Sequence, residues 1–291
     1  MRITVASGKG GTGKTTVAVG LTVAAARRGL SVVYADCDVE EPNGRIFLKP
    51  RIEEDRAVER LVPVVDQQLC THCGECVKIC RFGAIVSMPS ETLVFPELCH
   101  SCGGCALICP VEAIREEARE IGRLRLGRAS DGIRFVEGEL TVGEALSPSV
   151  VEAVKQALPP TELQIVDAPP GTSCQVVASV NGADFVVLVT EPTPFGLHDL
   201  SLAVKLVSSM RLPFGVVINR AGLDDRQVER FCNAHAVPVL ARLPDRRDVA
   251  EAYSRGELLT DAVPEFSAPG SNAACTIGPH RVSETNHWPH T

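Results

Sequence analysis

The stretch Ile3-Thr4-Val5-Ala6-Ser7-Gly8-Lys9-Gly10-Gly11-Thr12-Gly13-Lys14-Thr15-Thr16 decides the fold. Ile3 to Ala6 is a short apolar run of the kind that forms a buried strand, and Lys14 to Arg28 has helical periodicity closed by Gly29 as a C-terminal cap. The glycine-rich turn between them has no Cβ atoms to obstruct it, so the N–H groups of Gly10 to Lys14 can point inward toward an anion. The positive end of the following helix adds to the same spot. Lys14 is then placed to reach the β and γ phosphates of a nucleotide, and the Thr15 hydroxyl to ligate magnesium. Gly10, Gly11, Thr12, Gly13, Lys14, Thr15 and Thr16 are therefore the candidate nucleotide-binding residues of this loop.

Outward from the loop, a second strand is expected at Ser31 to Ala35, ending at Asp36-Cys37-Asp38. Further apolar strands follow at Leu163 to Val166, Phe185 to Val189, Phe214 to Ile218 and Pro238 to Leu243, with helical stretches at Leu197 to Met210 and Asp225 to Ala236. Strands alternating with helices imply an α/β class, a mostly parallel sheet flanked by helices.

Eight of the twelve cysteines interrupt that alternation in two runs, Cys70, Cys73, Cys76, Cys80 and Cys99, Cys102, Cys105, Cys109. Each member of the second run lies 29 positions after its counterpart, as do Leu98, Gly103, Ile108, Ala113 and Ile114 after Leu69, Gly74, Ile79, Ala84 and Ile85. This is an internal repeat, expected to fold with pseudo-twofold symmetry. Thiolates at i, i+3 and i+6 suit one loop wrapping three corners of an iron-sulfur cubane, with the fourth cysteine of each run crossing to the other cluster. One 4Fe-4S cluster would use Cys70, Cys73, Cys76 and Cys109, the other Cys99, Cys102, Cys105 and Cys80. Cys109 is followed by Pro110 as in bacterial ferredoxins, whereas Cys80 is followed by Arg81, a charge that would alter the potential of its cluster. Structural zinc is the rival, but zinc motifs usually pair their cysteines two and two. The expected division is a P-loop domain over 1–63 and 118–264, an inserted α+β bacterial-type ferredoxin domain over 64–117, and a flexible tail over 265–291.

With Lys9 the chain resembles the MinD family of deviant P-loop ATPases, which carry a signature lysine at this place. The resemblance covers nearly the whole chain outside the insertion and the tail. It implies ATP hydrolysis in an ATP-dependent dimer, either a homodimer or a heterodimer with a paralogue, with Lys9 reaching the partner's nucleotide in the manner of an arginine finger. Asp36-Cys37-Asp38 looks like the family's first switch, in which Asp38 would orient the attacking water and stand near magnesium. Asp167-Ala168-Pro169-Pro170-Gly171-Thr172 looks like the second switch, with Asp167 holding magnesium through water. Asn219-Arg220 resembles the family's base-recognition site. These positions fall at strand ends, where open α/β sheets bind ligands. Cys174 invites comparison with the nitrogenase iron protein, whose bridging cluster is held by cysteines near its switches. The glycine after the aspartate falls one place later here, so a buried thiol is the favoured reading, and Cys37 and Cys232 are read as core residues.

Composition narrows the function classes. A net charge of -7 argues against gripping nucleic acid, which relies on clustered Lys and Arg. The longest apolar run, Val17 to Ala26, falls short of the roughly 20 residues that span a bilayer, and the first strand begins too early to leave room for a leader. A cytoplasmic location follows, where a reducing thiol pool steers grouped cysteines toward metal. No nucleic acid and no membrane are expected as partners. The tail after Ser267 shows no basic amphipathic helix for membrane docking, and His280, His287 and His290 read as solvated. Two functions remain. One is an ATP-driven switch passing electrons to a redox partner; the other is delivery of clusters to apo-proteins, as in Mrp-like carriers. Those relatives use a Cys-x-x-Cys pair in the ATPase domain, which is missing here.

Overall fold

Strands buried on both faces need apolar residues at successive positions, and this chain's apolar runs supply them. A computed structural model describes residues 1–222 and 224–262. Cys275, His280, His287, His290 and the stretch assigned to a tail lie outside the described residues. The chain runs through β1 (Arg2–Ser7), α1 (Lys14–Arg27), β2 (Val32–Asp36), α2 (Gly44–Leu48), β3 (Arg51–Val65), α3 (Glu75–Ile79), β4 (Ile85–Met88), β5 (Glu91–Val94), α4 (Gly104–Ile108) and β6 (Ile114–Arg128). It continues through β7 (Arg134–Leu140), α5 (Ser147–Gln156), β8 (Leu163–Pro170), α6 (Cys174–Val180), β9 (Phe185–Thr190) and α7 (Pro194–Ser209). The last elements are β10 (Phe214–Ala221), α8 (Asp225–Ala234), β11 (Val239–Pro244), α9 (Arg247–Ser254) and α10 (Leu259–Ala262).

Among the described residues the main sheet has the order β11-β10-β9-β1-β8-β2-β7-β6-β3. From β11 to β7 the neighbours are parallel; β6 then runs antiparallel to both β7 and β3. Phe185, Val187 and Val189 of β9 join the core that α1 covers, while Val186 and Leu188 join the opposite core beneath α6, α7 and α8. Each fully buried valine of this kind contributes about 1.5–3 kcal/mol relative to exposure. A third core, on α5, includes Val33, Ala35, Val136 and Val166.

The sequence reading missed β7 and the long ribbon of β3 and β6. The ribbon carries the cysteine segment: β3 pairs with β6 from Arg51↔Arg128 to Val65↔Ile114. The boundaries at 63/64 and 117/118 therefore fall inside strands. Much of the ribbon is solvent-facing and charged, so it lacks the apolar run that marks the other strands. Cross-strand pairs such as Arg123 and Arg125 with Asp55 support it instead.

Within the cysteine segment the repeat extends to the backbone. Positive φ angles recur at the 29-residue period, at His72 and Ser101 (54° and 52°), Gly74 and Gly103 (74° and 70°), and Gly83 and Glu112 (64° and 53°). The short helices α3 and α4 occupy equivalent places, and the pair Ile85↔Val94 of the β4–β5 hairpin matches Ile114↔Val65 of the ribbon. No helix among the described residues is long and apolar enough to cross a membrane.

Candidate functional site

The glycine-rich loop leaves β1 and turns into α1 through Gly13, whose φ is 85°. A Cβ at Gly13 would lie 2.2 Å from Asn219 Nδ2, so both conformation and space require glycine there. Asn219 Nδ2 donates to the Thr12 carbonyl (2.8 Å), tying the end of β10 to the loop. Asn219 is expected to address a base, and one of the two N–H groups of its amide is used in shaping the phosphate loop.

Lys14 is almost wholly buried and donates to Asp167 Oδ1 at 2.8 Å, with Asp38 Oδ2 at 3.5 Å. The buried Tyr34 hydroxyl donates to Asp167 Oδ2 (2.9 Å), so both oxygens of that carboxylate are engaged. Burial alone would lower the Lys14 pKa, but Asp167 and Asp38 outweigh it and the value is raised. Asp36, fully buried, accepts from the N–H groups of Asp38 (3.1 Å), Asn43 (3.1 Å) and Gly44 (2.8 Å), folding the 38–43 segment back over the site. Burial, with Asp167 beside it, pushes the Asp36 pKa well up.

Asp38 is pushed up to about 6, chiefly by burial, with Lys14 opposing and Asp167 reinforcing the shift. Its folded value lies above the ordinary 3.8, so folding favours the protonated form. The associated stabilisation is fully present below about pH 4 and is lost as pH rises through about 6. We expect Asp38→Asn to flatten this part of the unfolding profile of the nucleotide-free protein, measured by denaturant titration from pH 4 to 7.

Lys9 Nζ stands 3.5 Å from Glu191 Oε2, and Arg220 Nη1 lies 2.8 Å from Glu191 Oε1. Both candidate cations thus share one nearly buried carboxylate. The loop, Asp38, Asn219 and Arg220 line a cleft of about 400 Å³, together with Arg246, Val249 and Tyr253 of the α9 region. Thr15, Asp38 and Asp167 offer the hard oxygen donors that magnesium prefers. Glu191, Tyr34 and the α9 residues were not anticipated. Tyr34 meets Asp167 across 133 positions of sequence, and no local pattern announces such a contact.

Residues 3–259 match the family described as the CobQ/CobB/MinD/ParA nucleotide binding domain. The chain belongs to that family. An uncharacterised protein of Methanocaldococcus jannaschii is 31% identical over 246 residues, covering 82% of this chain and 84% of that one. A protein of Pyrococcus furiosus named an iron-sulfur cluster carrier protein is 27% identical over 228 residues, covering 75% of this chain and 60% of that protein. Among solved structures, the septum site-determining protein MinD of Pyrococcus horikoshii complexed with Mg-ADP superimposes with a TM-score of 0.54 at 20% identity, covering 91% of this chain and 89% of that one. That likeness is one of fold.

In this MinD/ParA-family chain five of the eight grouped cysteines fall in two small apolar clusters. Cys76, Cys105 and Cys109 pack around Ile85 and Ile114, while Cys80 joins Cys99, Val62 and Ala84. Cys80, Cys99, Cys102 and Cys105 line one small cavity. Cys80 thus lies with Cys99, Cys102 and Cys105 of the second run, whereas Cys109 packs with both Cys76 of the first run and Cys105 of its own. Backbone N–H groups of Ser101 and Ala113 donate to Cys99 Sγ (3.3 Å) and Cys109 Sγ (3.2 Å). Burial pushes the Cys105 thiol up to about 11, with Cys99 and Cys102 adding to the shift. Among the described residues no three His, Cys, Asp or Glu side chains form a group able to hold a metal ion.

Cys37 and Cys232 are fully buried, as expected of core residues. Cys174 is a correction: it is exposed rather than buried. It opens the short helix α6, where Val176 and Val180 take the inward positions.

Proposed function

We propose that this chain is an ATP-hydrolysing switch of MinD type that carries two 4Fe-4S clusters and couples nucleotide-driven dimerisation to electron transfer. The observation that carries the reading is the course of the chain. It leaves the nucleotide cleft at Asn43 and, with only α2 between, enters the ribbon that carries all eight grouped cysteines. The division into a P-loop domain and an inserted ferredoxin domain is part of the same proposal.

In this reading the N–H groups of Gly10 to Lys14 hold the phosphates of ATP, and Thr16 completes the loop. Lys14 exchanges Asp167 for the β and γ phosphates, releasing the Asp167 carboxylate. Thr15, Asp38 and Asp167 would hold magnesium, which supplies charge neutralisation to the phosphates. Asp38, as a carboxylate, orients water for attack. Lys9 leaves Glu191 and reaches the nucleotide of the partner subunit, a contribution of the arginine-finger kind. Asn219 and Arg220 border the base.

Cys70, Cys73, Cys76 and Cys109 would hold one cluster and Cys99, Cys102, Cys105 and Cys80 the other, supplying one-electron chemistry. Soft sulfur donors in this number are the kind such groups take, and backbone N–H groups already point at the Cys99 and Cys109 sulfurs. A second reading, delivery of clusters to apo-proteins, is favoured by the relatives named iron-sulfur cluster carriers. Against it, the nucleotide-binding portion carries no Cys-x-x-Cys pair.

One anaerobic preparation tests the proposal. We expect about eight irons and eight sulfides per chain, the content of two cubanes, together with turnover of ATP to ADP and phosphate. Zinc in place of iron, or no turnover, would end the reading. Transfer of iron to an apo-acceptor would instead favour the carrier.

A further inference from the structure

Arg60 and Arg119 face each other across the β3–β6 ribbon, an arrangement of like charges that is unfavourable by itself. Glu144, from the segment after β7, inserts between them. Its Oε2 accepts from Arg60 Nη2 (3.0 Å) and its Oε1 from Arg119 Nη2 (2.7 Å). The side chains of Arg60 and Glu144 are only 5% and 4% exposed, so this is a buried joint and not a surface pair. Arg60 also donates from Nη1 to the Cys99 carbonyl (2.7 Å) and from Nη2 to the Pro96 carbonyl (2.7 Å). Arg119 reaches Glu97 at 3.2 Å. The backbone around Cys99 is therefore pinned by a guanidinium whose position Glu144 fixes.

The other end of the joint leads to the nucleotide cleft. Leu140, at the end of β7, donates its N–H to the Val39 carbonyl (2.7 Å), and Val39 follows Asp38 directly. Thr141 donates to the Ile121 carbonyl of β6 (3.0 Å), and Glu144 N–H returns to the Thr141 carbonyl (3.0 Å). Asp38 and Cys99 are thus joined by a short path of backbone, hydrogen bonds and one buried ion pair.

We propose that Glu144 and Arg60 are positioning residues that transmit a displacement of the Asp38–Val39 segment to the backbone of Cys99, so that the nucleotide state is felt at the Cys80/Cys99/Cys102/Cys105 set and not at the other. This rests on the reading of that set as a cluster site. Neither residue touches the nucleotide cleft, so ATP turnover in a Glu144→Gln variant stays near that of the parent.

The test uses the full chain, purified anaerobically, with no nucleotide, with Mg-ADP and with a non-hydrolysable ATP analogue. Hydrogen exchange over residues 96–101 and 8–16 is followed alongside redox titration of both clusters. In the parent chain we expect nucleotide to change exchange over 96–101 and to shift the reduced-to-oxidised ratio of one cluster about tenfold at fixed potential, about 59 mV for a one-electron couple. Glu144→Gln should abolish both responses while leaving the response at 8–16 intact. Should Glu144→Gln not fold, Arg60→Met/Glu144→Met removes both charges at similar volume, a replacement that buried pairs commonly tolerate. A variant that responds as the parent does, or a parent silent over 96–101, overturns the proposal. Chains that hold no iron defeat the cluster reading above, and the exchange measurement then judges the joint alone.

Discussion

Lys14→Ala is expected to lose ATP turnover by about 10²–10³-fold, the usual cost of removing one preorganised charge from a transition state. The same substitution should also destabilise the nucleotide-free protein by about 3–5 kcal/mol, because it leaves a buried carboxylate without its cation. The second effect follows from this structure in particular. Lys14 is not waiting in solvent for phosphate; it lies 2.8 Å from Asp167 and 3.5 Å from Asp38, at the centre of a buried acidic cluster. Asp36 adds a further buried carboxylate beneath them. The double variant Lys14→Ala/Asp167→Asn should recover much of the stability and none of the turnover, since the two residues share one interaction at rest and part company in the reaction. Chemical denaturation and phosphate release measured on both variants decide this. A Lys14→Ala protein as stable as its parent would mean that the Lys14–Asp167 pair contributes nothing.

The second large effect concerns which cysteines act together. Cys109→Ala and Cys80→Ala should each reduce the iron content from about eight to about four per chain. The crossing of the fourth cysteine then makes an asymmetric forecast for pairs. Cys109→Ala with Cys76→Ala strikes one cluster twice and should leave about four irons, whereas Cys109→Ala with Cys99→Ala strikes both and should leave none. If each run of four built its own site, the two double variants would exchange outcomes. The cavity that Cys80 shares with Cys99, Cys102 and Cys105 favours the crossed arrangement for that set, while Cys109 packs with Cys105 of its own run as well as with Cys76.

The two halves of the molecule were unequally readable from sequence. β1, β2, β8, β9 and β10 could be located because burial on both faces demands consecutive apolar residues, and Val186-Val187-Leu188-Val189 leaves little choice. The ribbon was invisible for the opposite reason. Ile114-Arg115-Glu116-Glu117-Ala118-Arg119-Glu120 satisfies solvent and ion pairs on most of its surface, so neither an apolar run nor a clean alternation marks it. β7 was hidden by Glu137, a carboxylate buried in the sheet and matched to Arg125 at 2.9 Å and Arg45 at 3.3 Å.

The same contrast holds at the site. Lys14, Asp38 and Asp167 stood out because their motifs sit at the ends of parallel strands, and the fold brings all three within one cluster. Glu191 could not be foreseen as the acid that holds Lys9 and Arg220, because that role depends on strands β1, β9 and β10 lying side by side. Asn219 was located in the cleft, but its amide N–H holds Thr12, a contact across 207 positions that a strand-end asparagine does not reveal. The 29-residue repeat, in contrast, passed from sequence to backbone intact, down to the left-handed residues at its turns.

In the proposed function a nucleotide clamp and a paired-cluster unit in one chain sense each other. The most direct measurement is the midpoint potential of each cluster in the parent protein, titrated anaerobically without nucleotide, with Mg-ADP and with Mg-ATP. At least one potential is expected to differ between the nucleotide-free and ATP-bound forms. Identical potentials in all three conditions, in a protein that holds iron and turns over ATP, would contradict it.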